Sequence, residues 1–150
     1  VIATDISNAS LEVARQNARR HGVDDRITWM EGDMLTPLAE KKLDGCVDVV
    51  AANPPYIAEA DWTGLQPEVR DFEPRRALVA GPRGTECHER LLKDARRYLS
   101  AGGVLIMEIG AGQGKGVRQL VETDGGYGPV RLLRDPANIE RVVILERKEE

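Results

Sequence analysis

Residues 53 to 56 read Asn-Pro-Pro-Tyr, directly after the apolar run CVDVVAA over 46–52. A planar amide or amino nitrogen is a poor nucleophile because its lone pair is delocalised, so a catalyst must hold it with acceptors rather than simply deprotonate it. Asn53 offers a side-chain carbonyl, and Pro54 a backbone carbonyl that the fixed rings of Pro54 and Pro55 can aim outward. Two acceptors grip the two hydrogens of one NH2 group. That grip turns the lone pair toward an electrophilic methyl group and stabilises positive charge as it develops on nitrogen. Tyr56 supplies a flat wall that stacks on a planar amide or base and whose face attracts a cationic sulfonium. No strong general base is needed, because the nitrogen becomes acidic as it gains charge and its proton can leave to water. The same four residues also suit an ordinary turn, since Asn-Pro and Pro-Pro punctuate loops. Their place beyond the carboxyl end of an expected buried strand, where open α/β sheets bind ligands, favours a site.

The elements that must position this turn alternate along the chain. Residues 1–4 read as a short strand ending at Asp5, after which Ser7 or Asn8 caps a helix that runs to about His21 and stops at Gly22. Strands are expected over 27–30, 46–52 and 104–109, and helices over 86–99 and from about Gly114 to Glu122, with Gly102-Gly103 as a turn. Residues 57–84 carry Pro67, Pro74, Pro82, Gly81 and Gly84 and read as a long irregular connection of the kind that serves a site. Strands over 130–133 and 141–146, joined through Asp135-Pro136, form a terminal hairpin. The pattern predicts an α/β layer fold, a mostly parallel sheet with an antiparallel edge.

Composition narrows the function. A chain of 150 residues is one domain's worth, and its net charge of -4 argues against a broad grip on nucleic acid. The two cysteines, Cys46 and Cys87, lack C-x-x-C spacing and read as reduced thiols, Cys46 at the start of a buried strand. Of the two histidines, neither His21 nor His88 has a second ligand at diagnostic spacing, so no metal is assigned; His88 reads as a surface residue of its helix. No stretch approaches a membrane span or signal peptide, so a cytoplasmic location is expected. The chain opens at Val1 inside an expected strand, which reads as a fragment or processed form of a longer protein.

In order, Asp5, Gly32-Asp33, Asn53-Pro54-Pro55-Tyr56-Ile57, Phe72-Glu73-Pro74 with Ala77-Leu78, Gly81 and Gly84, and Glu108-Ile109-Gly110 with Gln113 resemble the PrmC/HemK family. These are the protein-(glutamine-N5) methyltransferases of peptide chain release factors, and the resemblance covers nearly the whole chain. It implies a Rossmann-like class I methyltransferase fold, with residues 1–150 as one catalytic domain. It also implies S-adenosyl-L-methionine as methyl donor and, as acceptor, the side-chain amide of the glutamine in the Gly-Gly-Gln motif of class I release factors. Asn53 and the Pro54 carbonyl would hold that amide, with Pro55 and Tyr56 completing the pocket and Glu73 helping to shape it, and Asn53 would also contact the cofactor. Asp5 would accept from the cofactor's ribose hydroxyls, a role open to any carboxylate at a strand end, although a turn or capping aspartate explains it too. Asp33 and Met34 would border the adenine, Met34 standing where the family usually has an aromatic residue. In the family a glycine-rich cofactor loop with its strand and helix precedes the acidic strand end by about 20 residues, and an N-terminal helical domain docks release factors; neither is in this chain. That first strand would lie centrally, between the strands carrying Asp5 and Asn53. Its absence predicts open strand edges that invite edge pairing or swapping into an oligomer.

Three other readings remain. Gly110-Ala111-Gly112-Gln113-Gly114 imitates a cofactor loop, which would give the motif order of permuted amino-DNA methyltransferases; it lacks the third glycine at dinucleotide spacing, and a tight strand-to-helix turn is the simpler account. An amino-methyltransferase acting on an exocyclic base nitrogen of RNA or DNA would use Asn-Pro-Pro-Tyr equally well. A non-catalytic binding fragment would keep the acceptor pocket without chemistry. Clusters such as Arg75-Arg76 and Arg96-Arg97 most simply form solvated faces.

Overall fold

The computed structural model describes residues 1–149. Strand β1 (Ile2–Asp5) leads through Ser7 into helix α1 (Asn8–Arg20). The Ser7 hydroxyl accepts from the Ser10 amide at 3.3 Å, which settles the cap on Ser7. Leu11 and Ala18 on α1 are buried, and the helix ends as the periodicity predicts, at Gly22 with φ 65°. Strand β2 (Thr28–Glu31) pairs in parallel with β1, Asp5 lying opposite Glu31. These elements belong to one unit, Val1–Leu43; a second unit spans Asp44–Glu150.

The second unit is built on a four-stranded sheet of order β3-β6-β8-β7, where β3 is Val47–Ala52, β6 Leu99–Glu108, β7 Arg131–Arg134 and β8 Glu140–Glu146. β3 and β6 run parallel, with Ala52 opposite Met107; β8 is antiparallel to both β6 and β7. The terminal hairpin is therefore where the sequence places it. Helix α4 (Glu86–Tyr98) buries Leu91, Leu92 and Ala95, and α5 (Gly114–Asp124) buries Val117 and Val121. These side chains share a core with Leu105, Met107, Val143 and Leu145.

Four expectations need correction. The 46–52 segment is not a buried strand: Val50 is 7% exposed but Val49 is 53% exposed, and Cys46 is also exposed. The reason is that among the described residues β3 stands at the edge of its sheet, bonded only to β6, so one flank is unpaired. The 57–84 connection is not irregular. It holds β4 (Ile57–Ala58), the short helices α2 (Pro67–Arg70) and α3 (Arg75–Leu78), and β5 (Val79–Gly81), which pairs with β4 in parallel. Strands of two or three residues are too short to display a period. β6 starts at Leu99, before Gly102-Gly103, because Gly102 takes φ 72° and the ladder slips its register between Val47 and Val49, so the glycines kink a strand instead of preceding one. Finally, His88 is fully buried, not a surface residue.

Candidate active site

In the first unit the carboxyl ends of β1 and β2 bring the expected cofactor residues together. The Gly32 amide donates to the Asp5 carbonyl at 3.0 Å, so the turn holding Asp33 and Met34 begins beside Asp5. Oδ1 of Asp5 accepts from the Ser7 amide at 2.7 Å. The capping reading of Asp5 is thus correct for one oxygen, and the exposed carboxylate keeps the other without a hydrogen bond among the described residues. Gly32 approaches Pro37 closely, and Met34 takes a left-handed φ of 50°, which turns this short segment sharply. The Asp33 carbonyl accepts from the Thr36 amide at 3.0 Å and hydroxyl at 2.7 Å. An Asp5 carboxylate with one oxygen unbonded and, on the turn that starts at Gly32, a half-buried Met34 are the kinds of group that suit a ribose and a flat heteroaromatic ring.

In the second unit Asn53 follows the last residue of β3. Asn53 is exposed and Pro54 buried. Neither the Asn53 side chain nor the Pro54 carbonyl makes a hydrogen bond among the described residues, so both acceptors are uncommitted. Tyr56, two residues on, is tied down through every polar atom it has. Its amide donates to the Leu78 carbonyl at 3.1 Å, its carbonyl accepts from Gln113 Nε2 at 2.8 Å, and its hydroxyl donates to Glu108 Oε1 at 3.1 Å. Burial pushes the Tyr56 hydroxyl pKa up, and the Glu108 hydrogen bond and charge push it further against the opposing Arg141, so the phenol stays protonated.

Gln113 is the knot of this arrangement. Its amide nitrogen donates also to the Gly84 carbonyl at 3.1 Å, while its oxygen accepts from the Gly110 amide at 2.8 Å. Gly84, at φ 76°, leaves no room for a side chain, since a Cβ there would stand 2.8 Å from the Tyr56 carbonyl oxygen. A Cβ on Gly110 would lie 3.1 Å from the Tyr56 ring. The Gly110 to Gly114 stretch is therefore a strand-to-helix turn, as the simpler account holds, and its use is to clamp the turn that carries Asn53 and Pro54. Glu108 and Gln113 entered the sequence reading only as motif residues, without a role; their side-chain targets are 52 and 57 residues away along the chain, and no local pattern reveals them. Glu73 is exposed between α2 and α3, its amide donating to the Val69 carbonyl at 3.0 Å, and no hydrogen bond joins it to residues 53–56.

His88 supports the same wall from behind. Its Nε2 lies 2.8 Å from the Glu108 carbonyl, which can only accept, so Nε2 carries the proton and Nδ1 presents a bare lone pair. Nδ1 is buried without a partner among the described residues. Protonation would bury a charge and an unmatched N–H, and burial accordingly pushes the pKa below its ordinary 6.5, against the smaller opposing effect of the carbonyl. The unfolded chain then binds more protons than the folded one near that value, so stability rises with pH there. The stabilisation is fully present above pH 6.5 and is lost as pH falls through the unfolded value toward the lower folded one. Urea titrations between about pH 7.5 and 5.5 should show this loss, and His88→Gln should flatten it over that window. An unchanged pH slope in the variant would dismiss His88 as its source.

Among the described residues no cluster of His, Cys, Asp or Glu could hold a metal ion, and no helix is long and apolar enough to cross a membrane.

Comparison with solved structures fits this geometry. The chain superposes on a methyltransferase from Pyrococcus furiosus with TM-score 0.67 at 18% identity, covering 99% of this chain and 63% of that one. It superposes on a ribosomal protein L11 methylase from Lactobacillus delbrueckii subsp. bulgaricus with TM-score 0.65 at 21% identity, covering 99% and 58%. The fold is that of the class I methyltransferases. A family model described as RNA cap guanine-N2 methyltransferase matches residues 1–59. Sequence comparison goes further: the release factor glutamine methyltransferase of Moorella thermoacetica is 45% identical over 150 residues, all of this chain and 51% of that protein. Its counterpart in Nitratidesulfovibrio vulgaris is 42% identical over 147 residues, 97% of this chain and 49% of that protein. Over its whole length the chain is thus similar to release factor glutamine methyltransferases. It spans about half the length of the curated relatives it matches.

Proposed function

We propose that residues 1–150 form part of one catalytic domain that transfers a methyl group to the side-chain amide nitrogen of a protein glutamine. The acceptor on this reading is the glutamine of the Gly-Gly-Gln motif in class I peptide chain release factors, which places the protein in translation termination. The observation that carries the reading is the contrast within four residues. Among the described residues Asn53 and Pro54 keep their acceptors free, while Tyr56 beside them is fixed through its amide, carbonyl and hydroxyl. Fixed supports around uncommitted acceptors are what positioning an NH2 group requires.

S-adenosyl-L-methionine, when bound, supplies an electrophilic methyl group on a sulfonium centre. Asp5 would accept from ribose hydroxyls through its free oxygen, and Asp33 and Met34 would border the base. Asn53 and the Pro54 carbonyl would take the two amide hydrogens, Pro55 would hold that carbonyl's direction, and the Tyr56 ring would flank the amide plane. As the nitrogen gains charge these two acceptors strengthen their hold, and its proton leaves to water. Glu73 is proposed only to shape the rim. The unshared flank of β3 would pair with a further strand, either of the longer protein or of a second copy.

The match of residues 1–59 to an RNA cap guanine-N2 methyltransferase family favours a second reading, in which the NH2 group belongs to a nucleobase. The net charge of -4 weighs against it. The test is methyl transfer from labelled S-adenosylmethionine by the protein at the full length of its relatives. It is offered a release factor, the same factor with the Gly-Gly-Gln glutamine replaced, and RNA. Label on the intact factor alone is the expected result. Label on RNA instead would overturn the acceptor, and no label anywhere would leave a binding fragment without chemistry.

A further inference from the structure

The segment between β4 and β5 leaves the site and returns to it. β4 begins one residue after Tyr56, and the segment ends at Leu78, whose carbonyl accepts from the Tyr56 amide at 3.1 Å. Whatever grips residues 59–78 is thereby held in register with the Asn53 and Pro54 acceptors.

Two features of this segment lack polar or packing partners that would explain them among the described residues. Phe72, the single phenylalanine of the chain, is 84% exposed. It is not on a loose loop, because the Asp71 amide donates to the Pro67 carbonyl at 2.9 Å and the Glu73 amide to Val69 at 3.0 Å. Arg70 also grips the Asp71 carboxylate at 2.7 and 3.2 Å. Among the described residues the ring is held outward, against the usual preference of a large aromatic side chain for burial. Arg75 and Arg76 line an open surface hollow of about 370 Å³ with Glu59 and the β5 residues Val79, Ala80 and Gly81. Neither arginine has an ion pair or hydrogen bond among the described residues, and Arg75 lies 5.7 Å over the Trp62 ring, which orients it without neutralising it. Nearby Arg83, by contrast, is paired with both Glu86 and Glu89.

We propose that residues 59–78 are the docking surface for the acceptor protein, with Phe72 entering an apolar pocket on it and Arg75 and Arg76 meeting its carboxylates. Aromatic and arginine side chains are the groups that most often carry the energy of a protein interface. A polyanion is the poorer occupant, since this segment holds five carboxylates, at Glu59, Asp61, Glu68, Asp71 and Glu73, against three guanidiniums at Arg70, Arg75 and Arg76. The surface gives the enzyme a hold on a folded acceptor that a short peptide around the glutamine does not engage. The inference rests on glutamine methylation as proposed above.

The experiment compares Phe72→Ala and Arg76→Glu with wild type in the full-length protein, using an intact release factor and a short Gly-Gly-Gln peptide as acceptors. Each variant should raise KM for the intact factor about tenfold, leave kcat within about twofold, and leave kcat/KM for the peptide unchanged. Equal losses on factor and peptide, or no loss on either, would overturn the docking surface. Wild type that labels neither acceptor would overturn glutamine methylation itself, a failure distinguishable because it appears before any variant is compared.

Discussion

Asn53→Ala in the full-length protein should lower kcat for the release factor at least about a hundredfold, the scale on which removal of one preorganised transition-state contact acts. The Kd for S-adenosylmethionine should change by less than about threefold, and the unfolding free energy by about 0.5 kcal/mol or less, as for other surface positions. The asymmetry follows from the geometry. The Asn53 side chain is exposed and carries no hydrogen bond among the described residues, so their packing does not depend on it. An amide nitrogen held by the Pro54 carbonyl alone is free to rotate, its lone pair is no longer aimed, and its developing charge loses one of two acceptors. Isothermal titration for cofactor and single-turnover methyl transfer would separate the two quantities. If cofactor binding and transfer fell together, Asn53 would be a cofactor residue; if transfer persisted, the two-acceptor cradle would be wrong.

Gln113 should matter for the opposite reason, because everything it does is internal. Gln113→Ala removes the donor that holds the Tyr56 and Gly84 carbonyls and the acceptor that holds the Gly110 amide. At a net contribution of about 1 kcal/mol per hydrogen bond, the loss should be about 2 to 3 kcal/mol of stability, with a fall in kcat as the turn loosens. Gln113→Glu is the sharper test. It is nearly isosteric, and its carboxylate can still accept from the Gly110 amide, yet when ionised it faces two carbonyl oxygens it cannot donate to. Near neutral pH it should therefore be as damaging as Ala, and acid should partly relieve it as the carboxyl regains a donor. Denaturant midpoints at two pH values would decide. A Glu variant as stable as wild type would mean that side-chain volume, not the donor, fills the role.

Sequence and structure agree best where the information is local. The helix start at Ser7, its stop at Gly22, the terminal hairpin and the position of Asn-Pro-Pro-Tyr at a strand end all follow from residues within a few positions of one another. The burial of His88 has a local signature in the sequence, opposed by the polarity of its ring. The residue stands at the head of the stripe His88, Leu91, Leu92, Ala95, all buried at spacings of three and four, and that periodicity places it inward. Its polarity argued for the surface, and the Glu108 carbonyl that permits its burial is twenty residues away. The 57–84 segment was unreadable for another reason: β4 and β5 exist because they pair with each other, since neither is long enough to carry a pattern of its own.

By itself the sequence determined the chemistry on offer. It placed two acceptors and an aromatic wall at a strand end, a carboxylate at another strand end, and an alternation of strands and helices sufficient for the α/β class, because each depends on side-chain type and short spacing. Tertiary structure alone decided what makes that offer usable. Glu108, Gly110 and Gln113 reach Tyr56 only because β6 lies beside β3, with Met107 opposite Ala52, and because the chain then turns back over the end of that strand pair. A hydrogen bond across more than fifty residues depends on the register of a sheet, and register is a property of the packed chain that no short stretch of residues encodes.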